Sequence, residues 1–246
     1  RRQEIPKDAA RQRVLLRGLM NVRPAKQISP EFLSVQDEYL RQELSEAGVT
    51  HVEDLQPVSG ELYLWQGDIT KLSCGAIVNA ANSGLTGCYV PNHACIDNCI
   101  HTYAGVQLRL DCAEIMEKQG HEEPTGQAKL TRAYNLPCSF VLHTVGPIVT
   151  GEPTKEDEQL LASCYRSCLS LAEENDVKSI AFCCISTGVF GFPQAEASSI
   201  AVATVMASRS SFKPTNREAA MSQSIHARQS GMSACASQSP LTSWIN

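Results

Sequence analysis

The stretch Ala76-Ile77-Val78-Asn79-Ala80-Ala81-Asn82-Ser83-Gly84-Leu85-Thr86-Gly87-Cys88-Tyr89-Val90-Pro91-Asn92-His93-Ala94-Cys95-Ile96-Asp97-Asn98-Cys99-Ile100-His101 decides how the chain is read. It opens on a short apolar run, passes through an asparagine-rich turn and a glycine-flanked loop, and enters a helical pattern after Pro91. A short apolar run bounded by turn residues is a buried strand, and a proline before a periodic segment marks a helix start. The same order recurs. Leu62–Trp65, Phe140–Val145 and Ile180–Ile185 are further strand-like runs, and helical patterns cover His93–Lys118, Lys155–Asn175 and Ala195–Ser208. Strands alternating with helices define an α/β domain: three layers, α/β/α, around a largely parallel or mixed sheet. Ligands of such sheets bind outside the carboxyl ends of the strands, which directs attention to the loops after the short strands.

Working outward, residues 1–58 read as a polar, helical N-terminal extension. Arg11–Met20 places Val14, Leu15, Leu16, Leu19 and Met20 roughly on one helical face. Ser29-Pro30-Glu31 reads as an N-cap followed by a first-turn proline, and Gly48 as the stop of that second helix. The expected role of this extension is a docked structural cap. Residues 59–211 form the α/β domain. Residues 212–246, rich in Ser, Ala, Gln and Asn without a sustained period, read as a poorly ordered tail.

Composition narrows the partners. The 246 residues are 43% hydrophobic and 19% charged, values of an ordinary globular chain. A net charge of −5 argues against a general nucleic-acid binder, although backbone N–H groups can still hold a small anion. No apolar run reaches the length of a membrane span, and Arg1–Lys7 lead into no signal-peptide core, so a cytoplasmic protein with no membrane partner is expected. Eleven cysteines, an odd number mostly set in apolar runs, read as reduced and buried in a reducing compartment, with a few available as metal ligands.

Cys88, His93 and Cys95 fall within eight residues in a C-x4-H-x-C pattern. Thiolate, imidazole and thiolate are preferred zinc ligands; three of them leave an open position, and a fourth closes the site. Cys99, one turn beyond Cys95, is either that fourth ligand or core packing, and His101 is a further option or a neighbour of the site. Asn79 and Asn82 either cap the turn or position a sugar hydroxyl or a water. Asp97 is either a first-turn acid stabilised by the helix dipole or a base near the metal. A second loop, Ser186-Thr187-Gly188-Val189-Phe190-Gly191-Phe192-Pro193, lies between a strand and a helix and suits close backbone approach to phosphate, but lacks the P-loop lysine. Phe190 either stacks on a sugar or packs beneath the loop.

Gly67-Asp68-Ile69, the Asn79-Ala80-Ala81-Asn82 run and Ser186-Thr187-Gly188-Val189-Phe190-Gly191 together resemble the macrodomain, an ADP-ribose-binding α/β module. The Gly87–Asn98 insertion resembles the zinc-dependent subgroup found in microbes and known as protein-ADP-ribose hydrolases. The extension, including Leu19-Met20-Asn21-Val22-Arg23-Pro24, looks similar to that subgroup's. The resemblance covers about residues 10–210. It implies that Asp68 accepts from the adenine amino group with Ile69 beside it, and that Asn82 holds the distal ribose. It implies one zinc ion on Cys88, His93 and Cys95, with its open position facing that ribose, and Ile96 and Asp97 against the ligand. Ser186, Thr187, Gly188, Val189 and Phe190 are then expected to wrap the diphosphate and distal ribose. The implied activity is removal of ADP-ribose from protein side chains, with Asn82 and Asp97 as the catalytic candidates. The alternative is a non-catalytic ADP-ribose reader with a structural zinc. A macrodomain also closes with one more strand and helix after 195–208, a pattern that residues 212–246 do not resemble.

Overall fold

The computed structural model describes residues 4–209. The reading of residues 212–246, and of how the domain closes there, lies outside them.

Two N-terminal helices come first, α1 (Ala9–Val22) and α2 (Pro30–Ala47). Ser29 caps α2 as its sequence suggests: its Oγ accepts from the Phe32 N–H at 3.3 Å. Short strands follow, β1 (Thr50–His51), β2 (Pro57–Ser59), β3 (Leu62–Tyr63) and β4 (Leu72–Ser73); β1 pairs in parallel with β4, and β2 antiparallel with β3. The domain proper contains β5 (Ala76–Ala80), α3 (Ile96–Ala104), α4 (Val106–Gln119), β6 (Ala128–Arg132), β7 (Phe140–Thr144), α5 (Lys155–Glu174), β8 (Ile180–Ala181) and α6 (Gln194–Arg209).

The main sheet runs β6-β7-β5-β8. β5 is parallel to both β7 and β8, and β6 is antiparallel to β7, so the sheet is mixed. β5 is buried on both faces because successive side chains point to opposite sides. Ala76 and Val78 join Leu142, Tyr165, Phe182 and Ala201 in the core under α5 and α6. Ile77 joins Val141, Ile100, Leu108 and Cys112 in the core under α3 and α4. A five-residue strand thus supplies both cores, which makes the expected three layers.

Three differences from the sequence reading bear on the site. The continuous helix expected over His93–Lys118 is two helices, α3 and α4, broken at Gly105, whose φ of +101° takes the chain through a conformation side chains rarely adopt. Among the described residues the run Ile180–Ile185 is paired only at Ile180 and Ala181, where β8 leaves β5 after two residues; Cys183 and Cys184 then border the cleft described below. β6 was not legible as a strand: Ala128-Lys129-Leu130-Thr131-Arg132 alternates small, polar and apolar residues, as an antiparallel edge does.

The N-terminal helices are docked by both apolar and polar contacts. Met20 and Leu40 pack on Val106, with Leu16, Ile28, Leu33 and Tyr39 around them. Gln36 accepts from the Val106 N–H at 3.0 Å, satisfying a first-turn donor of α4, and Asn135 donates to Asp37 at 2.7 Å.

Candidate functional site

A cleft of about 270 Å³ opens beside the carboxyl end of β5. Most of the residues anticipated from sequence line it: Asp68 and Ile69 from the turn before β4, Asn82 after β5, Cys88, His93, Cys95, Ile96 and Asp97 from the loop and helix start, and Ser186–Phe190; Asn79 and His101 do not. Sequence reasoning did not place Ala80, Ala81, Gly146, Cys183 or Cys184 there, though the structure does, and Cys99, read as either a fourth ligand or core packing, also borders the cleft. Gly146 could have been suspected from its place after an apolar strand: a Cβ there would overlap the Ser186 hydroxyl across the cleft.

The thiol and imidazole groups converge. The ligand atoms of Cys88, His93 and Cys95 all lie within 4.8 Å of one another, with Cys88 Sγ and His93 Nδ1 3.6 Å apart. Two ligands across a tetrahedral zinc are separated by roughly 3.5 Å, so the set fits that ion in chemistry and in span. Cys99 is outside the trio: it is buried, and its Sγ accepts from Arg17 Nη2 at 3.5 Å. Cys95 Sγ also caps α3, accepting from the Asn98 N–H at 3.4 Å. Burial pushes its thiol up to about 12, with Cys88 and Asp97 adding to the effect, so holding two thiolates here calls for a cation. The cysteines among the described residues are thiols, with no disulfide.

Asp97 sits beside the trio and is only 5% exposed. Its Oδ1 accepts from Asn79 Nδ2 at 2.8 Å, and its Oδ2 from Asn82 Nδ2 at 3.1 Å. Burial raises its carboxyl to about 6 against the opposing pull of Asn79, Arg109 and Asn82. Asn82 takes the turn-capping reading: Oδ1 closes the turn on the Gly84 N–H at 3.0 Å, while Nδ2 also donates to the Gly87 carbonyl at 3.3 Å. Asn79 is wholly buried beneath the cleft and does not line it.

Behind Asp97 lies a second group of nitrogen and sulfur atoms, from His101, Cys112 and His143. His143 is already engaged at both ring nitrogens: Nδ1 is 3.1 Å from Asn79 Nδ2, and Nε2 is 2.9 Å from Thr131 Oγ1. Burial holds His143 down at about 3, and burial with the neighbouring His143 holds His101 well below its ordinary value. The 3.6 Å approach of His101 to Asp97 is therefore a contact with a neutral ring rather than an ion pair.

At the far end, Asp68 Oδ1 accepts from the Thr70 N–H at 3.0 Å and hydroxyl at 2.6 Å, while its buried Oδ2 has no hydrogen-bond partner. On the opposite wall Ser186 has a φ of +64°, and its buried Oγ likewise has no partner. The loop is braced by its own backbone: the Phe192 N–H donates to the Ser186 carbonyl at 2.9 Å, and the Val149 N–H to the Phe190 carbonyl at 2.8 Å. Asp68 Oδ2 faces the Lys71 ammonium at 3.9 Å, so the Ser186 hydroxyl is the place on this cleft where a polar ligand restores what the protein leaves unpaired.

A mixed α/β sheet with a cleft at the end of its central parallel strand defines a small-ligand-binding domain of the doubly covered kind. Residues 78–201 match the Macro domain family. The chain belongs to that family. A protein-ADP-ribose hydrolase of Treponema medium is 63% identical, covering 82% of this chain and 79% of its own. Another, from Staphylococcus aureus strain MSSA476, is 55% identical, covering 82% and 75%. Among solved structures, the Trypanosoma brucei macrodomain in complex with ADP-ribose has a TM-score of 0.64 at 31% identity, covering 88% of this chain and 90% of that one. The Oceanobacillus iheyensis macrodomain with ADP has a TM-score of 0.59 at 39% identity, covering 65% and 81%. No helix among the described residues is long and apolar enough to cross a membrane.

Proposed function

We propose that this chain is a glycosidase-type hydrolase that releases ADP-ribose from mono-ADP-ribosylated protein side chains, with one zinc ion held by Cys88, His93 and Cys95. The carrying observation is a convergent thiol–imidazole–thiol set on the wall of a cleft that also holds Asp97, Asn82 and the Ser186–Phe190 loop. The printed names of the Treponema and Staphylococcus relatives support the same activity.

In this reading Asp68 accepts from the adenine amino group through its buried Oδ2, which makes no hydrogen bond within the protein, and Ile69 packs beside the base. Ser186, Thr187, Gly188, Val189 and Phe190 embrace the diphosphate and distal ribose through backbone N–H groups, which explains how an acidic chain holds a dianion. Ile96 and Asp97 lie against the distal ribose. Cys88, His93 and Cys95 would hold the zinc ion, which would supply Lewis acidity toward a ribose hydroxyl or a water. Asn82 fixes the Asp97 carboxylate and the start of the metal loop together, and so contributes orientation. Asp97 accepts the proton of the attacking water. The bond from the ribose anomeric carbon to the side chain breaks, and the freed side chain takes up a proton.

The experiment is release of ADP-ribose from a mono-ADP-ribosylated protein, followed beside calorimetry with free ADP-ribose, for wild type, chelated protein and Cys95→Ala. Release by wild type, lost on chelation and in Cys95→Ala, is the expected result. Equal release in all three rejects the zinc reading. Tight ADP-ribose binding without release identifies a reader module instead.

A further inference from the structure

The loop that carries the ligand set has little regular structure of its own. Between Leu85 and Cys95 it makes no strand or helix, and Tyr89, Val90, Pro91 and Asn92 are exposed. A loop this open does not by itself hold three side chains at zinc-binding separations. What holds it comes largely from α1, eighty residues earlier in the chain.

Arg17 reaches across from α1. Its Nη2 donates to the carbonyl of His93 at 2.8 Å, to Asn98 Oδ1 at 3.1 Å and to Cys99 Sγ at 3.5 Å. Asn98 is fully buried and passes the grip on: its Nδ2 donates to the carbonyls of Cys88 at 3.2 Å and Val90 at 3.0 Å. One guanidinium therefore holds the backbone of one ligand residue directly and that of a second through a single amide. Asn21 adds a further tie, accepting from the Asn92 N–H at 2.8 Å and donating to Thr102 Oγ1 at 2.9 Å. The approach is close enough that a Cβ at Gly18 would sit 3.1 Å from Asn92 Nδ2.

Arg109 of α4 closes the circuit. Its Nη1 donates to the Asn21 and Arg23 carbonyls at 2.7 and 2.5 Å, where the last carbonyls of α1 lack helical partners. Its Nε donates to the Thr86 carbonyl at 2.7 Å, and its guanidinium lies 4.2 Å from the Tyr89 ring centre. The end of α1 and the start of the metal loop thus share one cation.

We propose that the N-terminal extension is a brace for the metal-binding loop, in which Arg17 is a positioning residue that sets the separation of Cys88, His93 and Cys95. This goes beyond a docked cap, and it rests on the reading of those three residues as zinc ligands. Partners one shell out from a metal tune its affinity by 10- to 100-fold, through the geometry they impose on its ligands.

The test compares wild type, Arg17→Ala and Met20→Ala in the full chain. Met20 packs on Leu40 and Val106, so truncating its side chain loosens the docking of α1 while leaving the Arg17 guanidinium and its bonds to His93 and Asn98 in the chain. Zinc affinity is measured by competition with a chromogenic chelator, ADP-ribose affinity by calorimetry, and loop opening by hydrogen exchange over residues 88–95. Arg17→Ala is expected to bind zinc 10- to 100-fold more weakly, to exchange faster over that loop, and to bind ADP-ribose within about threefold of wild type. Met20→Ala is expected to melt lower but to keep wild-type zinc affinity and loop exchange. Wild-type zinc affinity in Arg17→Ala, or an equal loss in Met20→Ala, overturns the brace. If wild type itself takes up no zinc, the metal reading fails and hydrogen exchange alone decides: faster loop exchange in Arg17→Ala than in Met20→Ala upholds the brace, and equal exchange overturns it.

Discussion

Asn79 donates to Asp97 across 2.8 Å, joining the inner end of β5 to the first turn of α3. The same Nδ2 is 3.1 Å from His143 Nδ1, so both amide protons are committed and the imidazole presents Nδ1 as an acceptor. Its proton then resides on Nε2 and is donated to Thr131. A single buried amide therefore fixes an acid that lines the cleft and a histidine that does not. Asn79→Ala takes one hydrogen bond from each partner in the interior, leaving Asp97 with Asn82 and His143 with Thr131. The expected cost is about 2–4 kcal/mol, from two buried groups losing a hydrogen bond, with ADP-ribose release falling alongside. Urea unfolding of the variant beside wild type measures the first, and a destabilisation below about 1 kcal/mol contradicts the network.

His143 makes a separate prediction about pH. Its folded value is about 3, below the roughly 6.5 of an unfolded histidine, because burial penalises the charged ring. Above that unfolded value both states hold the neutral ring, and its contribution is fully present. As pH falls from about 6.5 towards about 3 the unfolded chain takes up a proton that the folded ring refuses, so stability is lost by up to about 1.4 kcal/mol per unit. The groups facing the ring are His101, Cys112, Thr131 and Asn79. His143→Gln removes this titration and leaves the metal ligands in place. Its urea midpoint is expected to fall less steeply than that of wild type between pH 7 and pH 5; parallel slopes contradict the assignment.

Cys95 caps α3 and is proposed as a zinc ligand, and two substitutions separate the roles. Cys95→Ala loses both, with about 1 kcal/mol for the cap. Cys95→Ser keeps an N-cap oxygen and loses the soft ligand. Bound zinc per chain is expected to fall in both variants, while metal-free thermal stability falls only in the alanine variant. Measured on metal-free protein, equal melting of the two variants removes the capping role.

Much of this site was legible because its residues carry local signals. Cys88, His93 and Cys95 lie within eight positions, and the Ser186–Pro193 loop has two glycines between a strand and a helix. Both were placed at the cleft from spacing and from where open sheets bind ligands. What escaped is non-local. Nothing around Arg17 announces that it meets His93 and Asn98, because its neighbours form an ordinary amphipathic helix and its partners lie about eighty residues away. β6 escaped because an edge strand alternates, and the early end of β8 escaped because only pairing with Ala76 and Ile77 defines it. The continuous helix expected over His93–Lys118 was misread because a lone glycine inside a helical pattern is usually tolerated.

Gly105 settles that last point experimentally. At a φ of +101°, a Cβ would lie 2.5 Å from Gln107 Oε1 and 2.6 Å from Gln36 Nε2. Gly105→Ala is expected to destabilise the fold by more than about 1 kcal/mol, through backbone strain and displacement of the Gln36 side chain that caps α4. A continuous helix predicts the opposite sign, since alanine is the better helix former by about 1 kcal/mol. The direction of the shift in thermal midpoint decides between them.

Ser186 offers a case in which stability and ligand binding should move in opposite directions. Its φ of +64° costs a serine more than a glycine, and its buried hydroxyl has no partner within the protein. Ser186→Gly relieves both, and a gain of about 1 kcal/mol in unfolding free energy is expected, partly offset by the greater freedom of glycine in the unfolded chain. If the hydroxyl is retained because a ligand completes it, the same variant binds ADP-ribose more weakly, by roughly tenfold for one lost hydrogen bond. Calorimetry with ADP-ribose beside a thermal melt measures both quantities. A variant that is more stable and binds as tightly as wild type would show that the strained serine does nothing for the ligand, and would move the polar contacts of that wall to the backbone of Thr187, Gly188 and Val189.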